Sequence, residues 1–254
     1  MTTFGRIVGT AVSAQIVPAA TWLPAVRRFF PELSGVGRAD HVALTFDDGP
    51  DPESTPAYLN LLSGFGATAT FFLVGQRVRD SPELVRRIVD EGHEVAVHGW
   101  RHRYLFVHSP QLGRCIDAVG EVAGVRPAWF RPPYGVLTAT ALAEANRHGL
   151  RTVLWTRWAK DWAADSTAES VHGLLAPGIV GGATLLLHDA GSSRSSDSWR
   201  STLQALPRVL RECADSGLRV GTLAGHGVSP AAGPAIRSPY AATVSERGAS
   251  GDGD

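Results

Sequence analysis

The sequence predicts an α/β fold built on one parallel sheet. Seven short β-prone runs, at 42–46, 68–74, 94–98, 128–131, 151–155, 183–188 and 218–223, alternate with helix-like stretches. That order implies parallel strands joined by right-handed helical crossovers. Several runs, such as TLLL at 184–187, are apolar at consecutive positions, the pattern of a strand covered on both faces. A barrel and an open doubly wound sheet both satisfy this pattern, and 254 residues suit one large unit of either kind.

The first 39 residues stand apart. Ile7–Val26 contains no charged residue, follows Arg6 and precedes Arg27–Arg28, but Gln15, Pro18 and Pro24 interrupt it. It reads as a membrane anchor, an export signal or a helix packed on the domain, and it points to possible membrane association or an extracytoplasmic setting. Residues 40–225 form the expected domain. Thr55-Pro56, Ser81-Pro82 and Ser109-Pro110 each set a hydroxyl before a proline that opens a helix, and Ser166 with Glu169 has the capping-box spacing. Gly64, Gly92, Gly124, Gly149 and Gly217 mark helix ends. Pro207 is expected to kink the last long helix or restart it. Residues 226–254, rich in Gly, Ala, Ser and Pro, read as a disordered tail.

Lys+Arg and Asp+Glu are each 24, so no basic excess is available to hold a phosphate backbone, and nucleic acid is excluded as a partner class. Two cysteines, Cys115 and Cys213, make neither a disulfide scaffold nor a thiolate metal site, and both are expected buried in helices.

Reactive residue types recur at the strand ends, where parallel barrels hold their chemistry. The first run ends at the adjacent acids Asp47 and Asp48, in HVALTFDDGPD; two carboxylates side by side repel unless a cation or proton lies between them. The third ends at His98, with His102 four residues on, a spacing that puts both imidazoles on one side of a turn. Two His and one Asp leave a tetrahedral cation an open position, as in catalytic sites, where bound water is acidified. The other aspartate is then free to act as general base; spacing does not say which is which. Arg131, ending the fourth run, is suited to hold that base charged. His188, ending the sixth, is suited to act as general acid, with Asp161, beyond Trp155 at the fifth, raising its pKa.

TFDDGP, HGWRH, RPPYG, Asp161-Trp162 and LLLHD together resemble the five motifs of the polysaccharide deacetylase family, the NodB-homology carbohydrate esterases of family 4, over roughly residues 40–225. The resemblance implies a distorted (β/α)7, TIM-like barrel and metal-dependent removal of N-acetyl, or sometimes O-acetyl, groups from sugars. It implies Asp47 as base, Asp48, His98 and His102 as metal ligands, and Arg131 as the residue that positions Asp47. It implies the Tyr134 N–H as oxyanion donor, Trp162 and Leu186 as the acetyl-methyl pocket, and His188 tuned by Asp161 as the acid. One position departs from the family pattern: Gly99 stands where Ser or Thr usually supports the histidine loop.

The expected cofactor is a divalent ion, zinc first, with cobalt, nickel or manganese also compatible. The expected partner is an N-acetylated glycan of peptidoglycan or chitin type, and the expected state is a monomer. Trp100, Trp155, Trp158 and Trp162 lie near the motifs; Trp155 is taken as substrate-binding, and at least half of the four are expected in the core. Arg101, Arg103, Arg157 and Lys160 are candidates to meet an acidic group at the entrance. Two other readings are a deacylase of a non-sugar amide or lipid-linked glycan on the same fold, and a catalytically silent carbohydrate-binding module.

Overall fold

The computed structural model describes residues 15–191 and 195–228. Its centre is strand β1 (His41–Asp47), buried throughout. After β1 come helix α1 (Thr55–Phe65), β2 (Thr70–Leu73), α2 (Gly75–Asp80), α3 (Pro82–Asp90) and β3 (Glu94–Val97). They are followed by α4 (Leu112–Ala123), β4 (Trp129–Phe130), α5 (Ala139–Arg147), β5 (Arg151–Thr152) and β6 (Arg157–Trp158). The domain closes with α6 (Ala168–Leu175), β7 (Thr184–His188), α7 (Trp199–Asp215) and β8 (Arg219–Gly221). Every pairing is parallel, in the order β5-β4-β3-β2-β1-β7-β6, with β8 beside the start of β1.

The period of two along each strand builds the layers. Val42, Leu44 and Phe46 of β1, Phe71 and Leu73 of β2, and Leu185 and Leu187 of β7 pack outward in the main core. Ala43, Phe72 and Ala96 meet Trp129 and Val153 in a separate cluster inside the barrel. The same alternation turns Thr45 and Asp47 inward, toward Arg131. A one-residue slip would send Phe46 into the interior and Asp47 into the helix layer.

The run expected at 151–155 is not one strand. β5 pairs with β4 and β6 pairs with β7, so the two ends of the sheet are consecutive pieces of one stretch. The residues between cross a seam where the ladder is broken: Val153 N–H still reaches the Phe130 carbonyl, but Leu154 N–H donates to Leu33, outside the sheet. This broken stave makes the closure a distorted (β/α)7 barrel rather than an open doubly wound sheet.

Helix boundaries follow local chemistry with small shifts. Gly66, not Gly64, takes the left-handed cap of α1, and the capping box is Thr167 with Ser170, not Ser166 with Glu169. α4 starts at Leu112, after Gln111 rather than at Ser109-Pro110. Pro207 lies inside an unbroken α7. α2 was not foreseen from sequence. Cys115 and Cys213 are free and buried, in α4 and α7.

Short helical turns at Val17–Trp22, Pro24–Arg27 and Pro31–Ser34 lie against the seam. At the other end, His226, the first residue assigned to the tail, is fully buried; of that tail the structure describes only residues to 228. His226 Nε2–H donates to the Gly35 carbonyl, so its Nδ1 accepts from His41 Nδ1–H at 2.9 Å. Burial, then the neighbouring His41, lowers the His226 pKa to about 4. A folded-state value below the ordinary one means stability is present above about pH 6.5 and lost as pH falls toward 4. Thermal melts should show that decline, and His226→Gln should flatten it; an unchanged acid profile in the variant would refute the assignment.

Candidate active site

A cleft of about 1150 Å³ opens at the C-terminal ends of the strands. Asp47, Asp48, His98, His102, Tyr134, Trp155, Trp162, Leu186 and His188 line it. Arg131 and Asp161 lie behind that surface, 0% and 2% exposed, each bonded to a residue that faces it.

Asp48 follows β1 with φ +80°, a left-handed conformation that Asp tolerates better than most residues. Its Oδ1 lies 3.4 Å from His98 Nε2 and 3.3 Å from His102 Nε2, and the three donor atoms fall within 4.8 Å of one another. His98 Nδ1–H donates to the Arg131 carbonyl at 2.8 Å, which leaves the Nε2 lone pair for a ligand. Burial lowers the His98 pKa to about 3, so the imidazole is neutral. Asp48 Oδ1 is buried and has no hydrogen-bond partner among the described residues, a costly state for a carboxylate without a cation. The donor set fits one divalent ion.

Asp47 Oδ1 accepts from Arg131 Nη1 at 2.7 Å. Burial pushes the Asp47 pKa up and the Arg131 charge opposes it. Arg131 also donates to Thr45 Oγ1 and to the Val153 and Leu154 carbonyls, and it stacks 4.0 Å over Phe72. One guanidinium thus orients the acid and satisfies two carbonyls of the barrel seam.

On the neighbouring strand β7, beside Asp47, His188 Nδ1–H donates to Asp161 Oδ1 at 2.9 Å. Asp161 Oδ2 accepts from His188 N–H and Thr202 Oγ1, which fixes the carboxylate. Burial alone would lower the His188 pKa; the charge and hydrogen bond of Asp161, with help from Asp48 and Asp47, raise it to about 10.

Gly99 has φ +88°, so a residue with a side chain would be strained there. Backbone bonds brace the histidine loop: Gly75 N–H to Gly99 O, Gln76 N–H to Trp100 O and Trp100 N–H to Pro110 O. Tyr134, at φ +58°, stacks on Tyr104 and tilts against His102.

Three contributors went unrecognised from sequence. Asp189 is fully buried; its carboxylate accepts from Gly49 N–H and Thr55 Oγ1, and its carbonyl accepts from Ser54 Oγ. A Cβ on Gly49 would lie 2.2 Å from Asp189 Oδ2, so the turn after the acid pair requires glycine. The signal available was the His188-Asp189 pair. Arg77 of α2 and Trp22 of the N-terminal segment also line the cleft, and no motif marks them. Of the candidate entrance cations, Arg101 and Arg103 line the cleft. Arg157 is committed to the carbonyls of Leu175, Pro177 and Gly178, and Lys160 lies 5.7 Å over Trp158. Trp100 is buried under α2 with Arg114 stacked on it, away from the cleft lining.

A parallel barrel that gathers a cation donor set, an arginine-held carboxylate and an aspartate-held histidine at one rim defines a class: a barrel hydrolase with a single-ion site. Comparisons with known proteins name the family. The polysaccharide deacetylase profile matches residues 34–153. A peptidoglycan-N-acetylglucosamine deacetylase of Bacillus cereus is 36% identical over 189 residues, 72% of this chain and 85% of the relative. A chitooligosaccharide deacetylase of Bradyrhizobium sp. is 36% identical over 218 residues, 78% of this chain and 94% of the relative. Among solved structures, the Bc1960 peptidoglycan N-acetylglucosamine deacetylase has a TM-score of 0.70 at 28% identity, over 77% of this chain and 92% of that one. A cobalt complex of a family 4 acetyl xylan esterase from Clostridium thermocellum gives 0.66 at 31% identity, over 74% and 94%. The chain belongs to the polysaccharide deacetylase family.

Proposed function

We propose that this protein is a metal-dependent N-deacetylase of glycans built from N-acetylated amino sugars, of peptidoglycan or chitin-like type. The observation that carries the reading is one cleft with Asp47 beside the Asp48–His98–His102 donor set and with His188 lining the same cleft. The matched peptidoglycan and chitooligosaccharide deacetylases support the substrate class.

Asp48, His98 and His102 would hold a divalent ion, which would supply Lewis acidity for activating the water and stabilising developing negative charge. Zinc is the proposed ion, since two imidazoles and a carboxylate are ordinary zinc donors; cobalt, nickel and manganese suit the same set. Asp47 takes a proton as the water oxygen bonds to the amide carbon. The Tyr134 N–H steadies the oxygen that becomes negative. His188 then gives its proton to nitrogen as the C–N bond breaks, and acetate and a free amine leave. An amine is a poor leaving group unless protonated, which favours N- over O-deacetylation for a site whose acid is held cationic by Asp161. Trp162 and Leu186 are the proposed walls for the acetyl methyl, with Trp155 as a further substrate contact.

The proposed working unit is a monomer, which sedimentation or light scattering of the purified protein would test. Exposed Val17, Leu23, Phe29 and Phe30 support peripheral contact of the N-terminal segment with a lipid surface, which vesicle flotation would test.

The protein should release acetate from N-acetylglucosamine oligomers, lose that activity to a chelator and regain it with zinc or cobalt. Asp48→Asn should cost more than the ~10–100-fold typical of changes outside the ligand set, and added metal should not restore it. Full acetate release by protein shown by metal analysis to be metal-free would overturn the mechanism.

A further inference from the structure

We infer that Trp22, carried on the N-terminal segment, is a glycan-binding residue that extends the cleft by one sugar subsite. The inference rests on the deacetylase reading for its ligand class, an oligomer of N-acetylated amino sugars.

Trp22 comes from outside the stretch matched by the family profile, which begins at residue 34. It nevertheless lines the same cleft as Asp47 and His188. Trp22 is 41% exposed, although tryptophan carries a large apolar area that soluble proteins usually bury. It meets Trp158 edge to face, with ring centroids 6.3 Å apart. Trp158 in turn lies 6.3 Å from Trp162 and 5.8 Å from Trp155. The other three tryptophans that line the cleft, Trp155, Trp158 and Trp162, therefore form a continuous wall, and Trp22 stands two ring-to-ring steps from Trp162. A flat apolar ring suits the C–H face of a pyranose, so a ring at that remove would serve a neighbouring sugar rather than the one that loses its acetyl group.

The platform is held in place before any ligand arrives. Arg27 is buried, packs 4.9 Å over the Trp155 ring and donates from Nη1 to the Trp22 carbonyl. Gln15 exchanges two hydrogen bonds with Thr140 on one side of the segment. On the other, Glu32 pairs with Arg151 and the Leu33 carbonyl accepts from Leu154 N–H at the barrel seam. A side chain already fixed loses little freedom on binding, so its contact contributes to affinity. The carbonyl that Arg27 holds belongs to the backbone, so changing the Trp22 side chain leaves the anchor intact.

The test compares wild type, Trp22→Ala, Trp22→Phe and a control, Leu23→Ala, whose exposed side chain on the same segment is outside the cleft. Acetate release is measured on the dimer and tetramer of N-acetylglucosamine, and tetramer binding is followed by calorimetry. Trp22→Ala should raise KM and Kd for the tetramer about three- to tenfold, the range of one aromatic contact, and shift the dimer less than twofold. Trp22→Phe should recover most of the loss, and Leu23→Ala should match wild type. Equal constants for wild type and Trp22→Ala, with acetate still released, would overturn the subsite and leave the deacetylase reading standing. Tetramer binding that weakens in Trp22→Ala without acetate release from any glycan would support the subsite and sink the deacetylase reading. No binding and no release would overturn both.

Discussion

Asp161→Asn is expected to lower kcat by roughly 10²- to 10⁴-fold at neutral pH, the range of a lost general acid. Asparagine keeps the shape of the carboxylate and removes its charge. Burial, the largest influence on His188 and one that disfavours the cation, then acts without the partner that overrides it. The imidazole becomes neutral where the reaction needs it protonated. Wild-type His188, at about 10, stays cationic across the neutral range, so the alkaline limb of the variant's pH–rate profile should move toward acid by more than one unit. Stability gives an independent reading. A histidine with a raised folded-state pKa contributes stability that is complete below about pH 6.5 and lost as pH rises through its folded value. Wild type should therefore lose thermal stability between about pH 6.5 and 10, and the variant should lack that decline. A variant with wild-type kcat and an unmoved alkaline limb would remove His188 from the mechanism.

Arg131→Met is expected to destabilise the protein by about 3–5 kcal/mol, the usual cost of stranding one member of a buried ion pair. Asp47 would remain buried without its counter-charge, and the Val153 and Leu154 carbonyls would lose their donors. At about 2–4 °C per kcal/mol for a domain of this size, the midpoint should fall by roughly 6–20 °C. Activity should fall as well, since burial unopposed by Arg131 pushes the Asp47 pKa up and disfavours the charged form the base needs. Arg131→Lys should recover only part of the loss, because one ammonium cannot reproduce a fork that serves an acid, a hydroxyl and two carbonyls. The double variant Asp47→Asn/Arg131→Met should be more stable than Arg131→Met alone, since it removes the stranded charge. Equal midpoints for the single and double variants would show that packing, not charge, sets the cost.

Much of this barrel was legible because its signals are local. The strand runs, the proline-marked starts of α1 and α3 and the glycine that ends α4 depend on neighbours in the chain. So does the alternation in β1 that turns Asp47 to one face and Phe46 to the other. The run at 151–155 misled for the opposite reason. Its residues suit a strand, but whether they pair with β4, with β7 or with neither depends on how the barrel closes, and the seam falls among them. Asp189 carries no local mark beyond its place after His188; only the return of β7 alongside β1 brings its carboxylate to Gly49. Trp22 and the His41–His226 pair join chain ends to the barrel across long separations, and neither partner's neighbours announce the other.

The sequence by itself determined the strand–helix alternation, the residue types at the strand ends and the family, because each is written in short windows of the chain. Tertiary structure alone decided where the barrel is broken and that Arg131 mends it. It also brought the N-terminal segment to the cleft and left Asp48 Oδ1 facing two imidazoles with no hydrogen-bond partner among the described residues. Those outcomes depend on closure, which brings residues far apart in sequence within a few ångströms and excludes the water that would otherwise satisfy them.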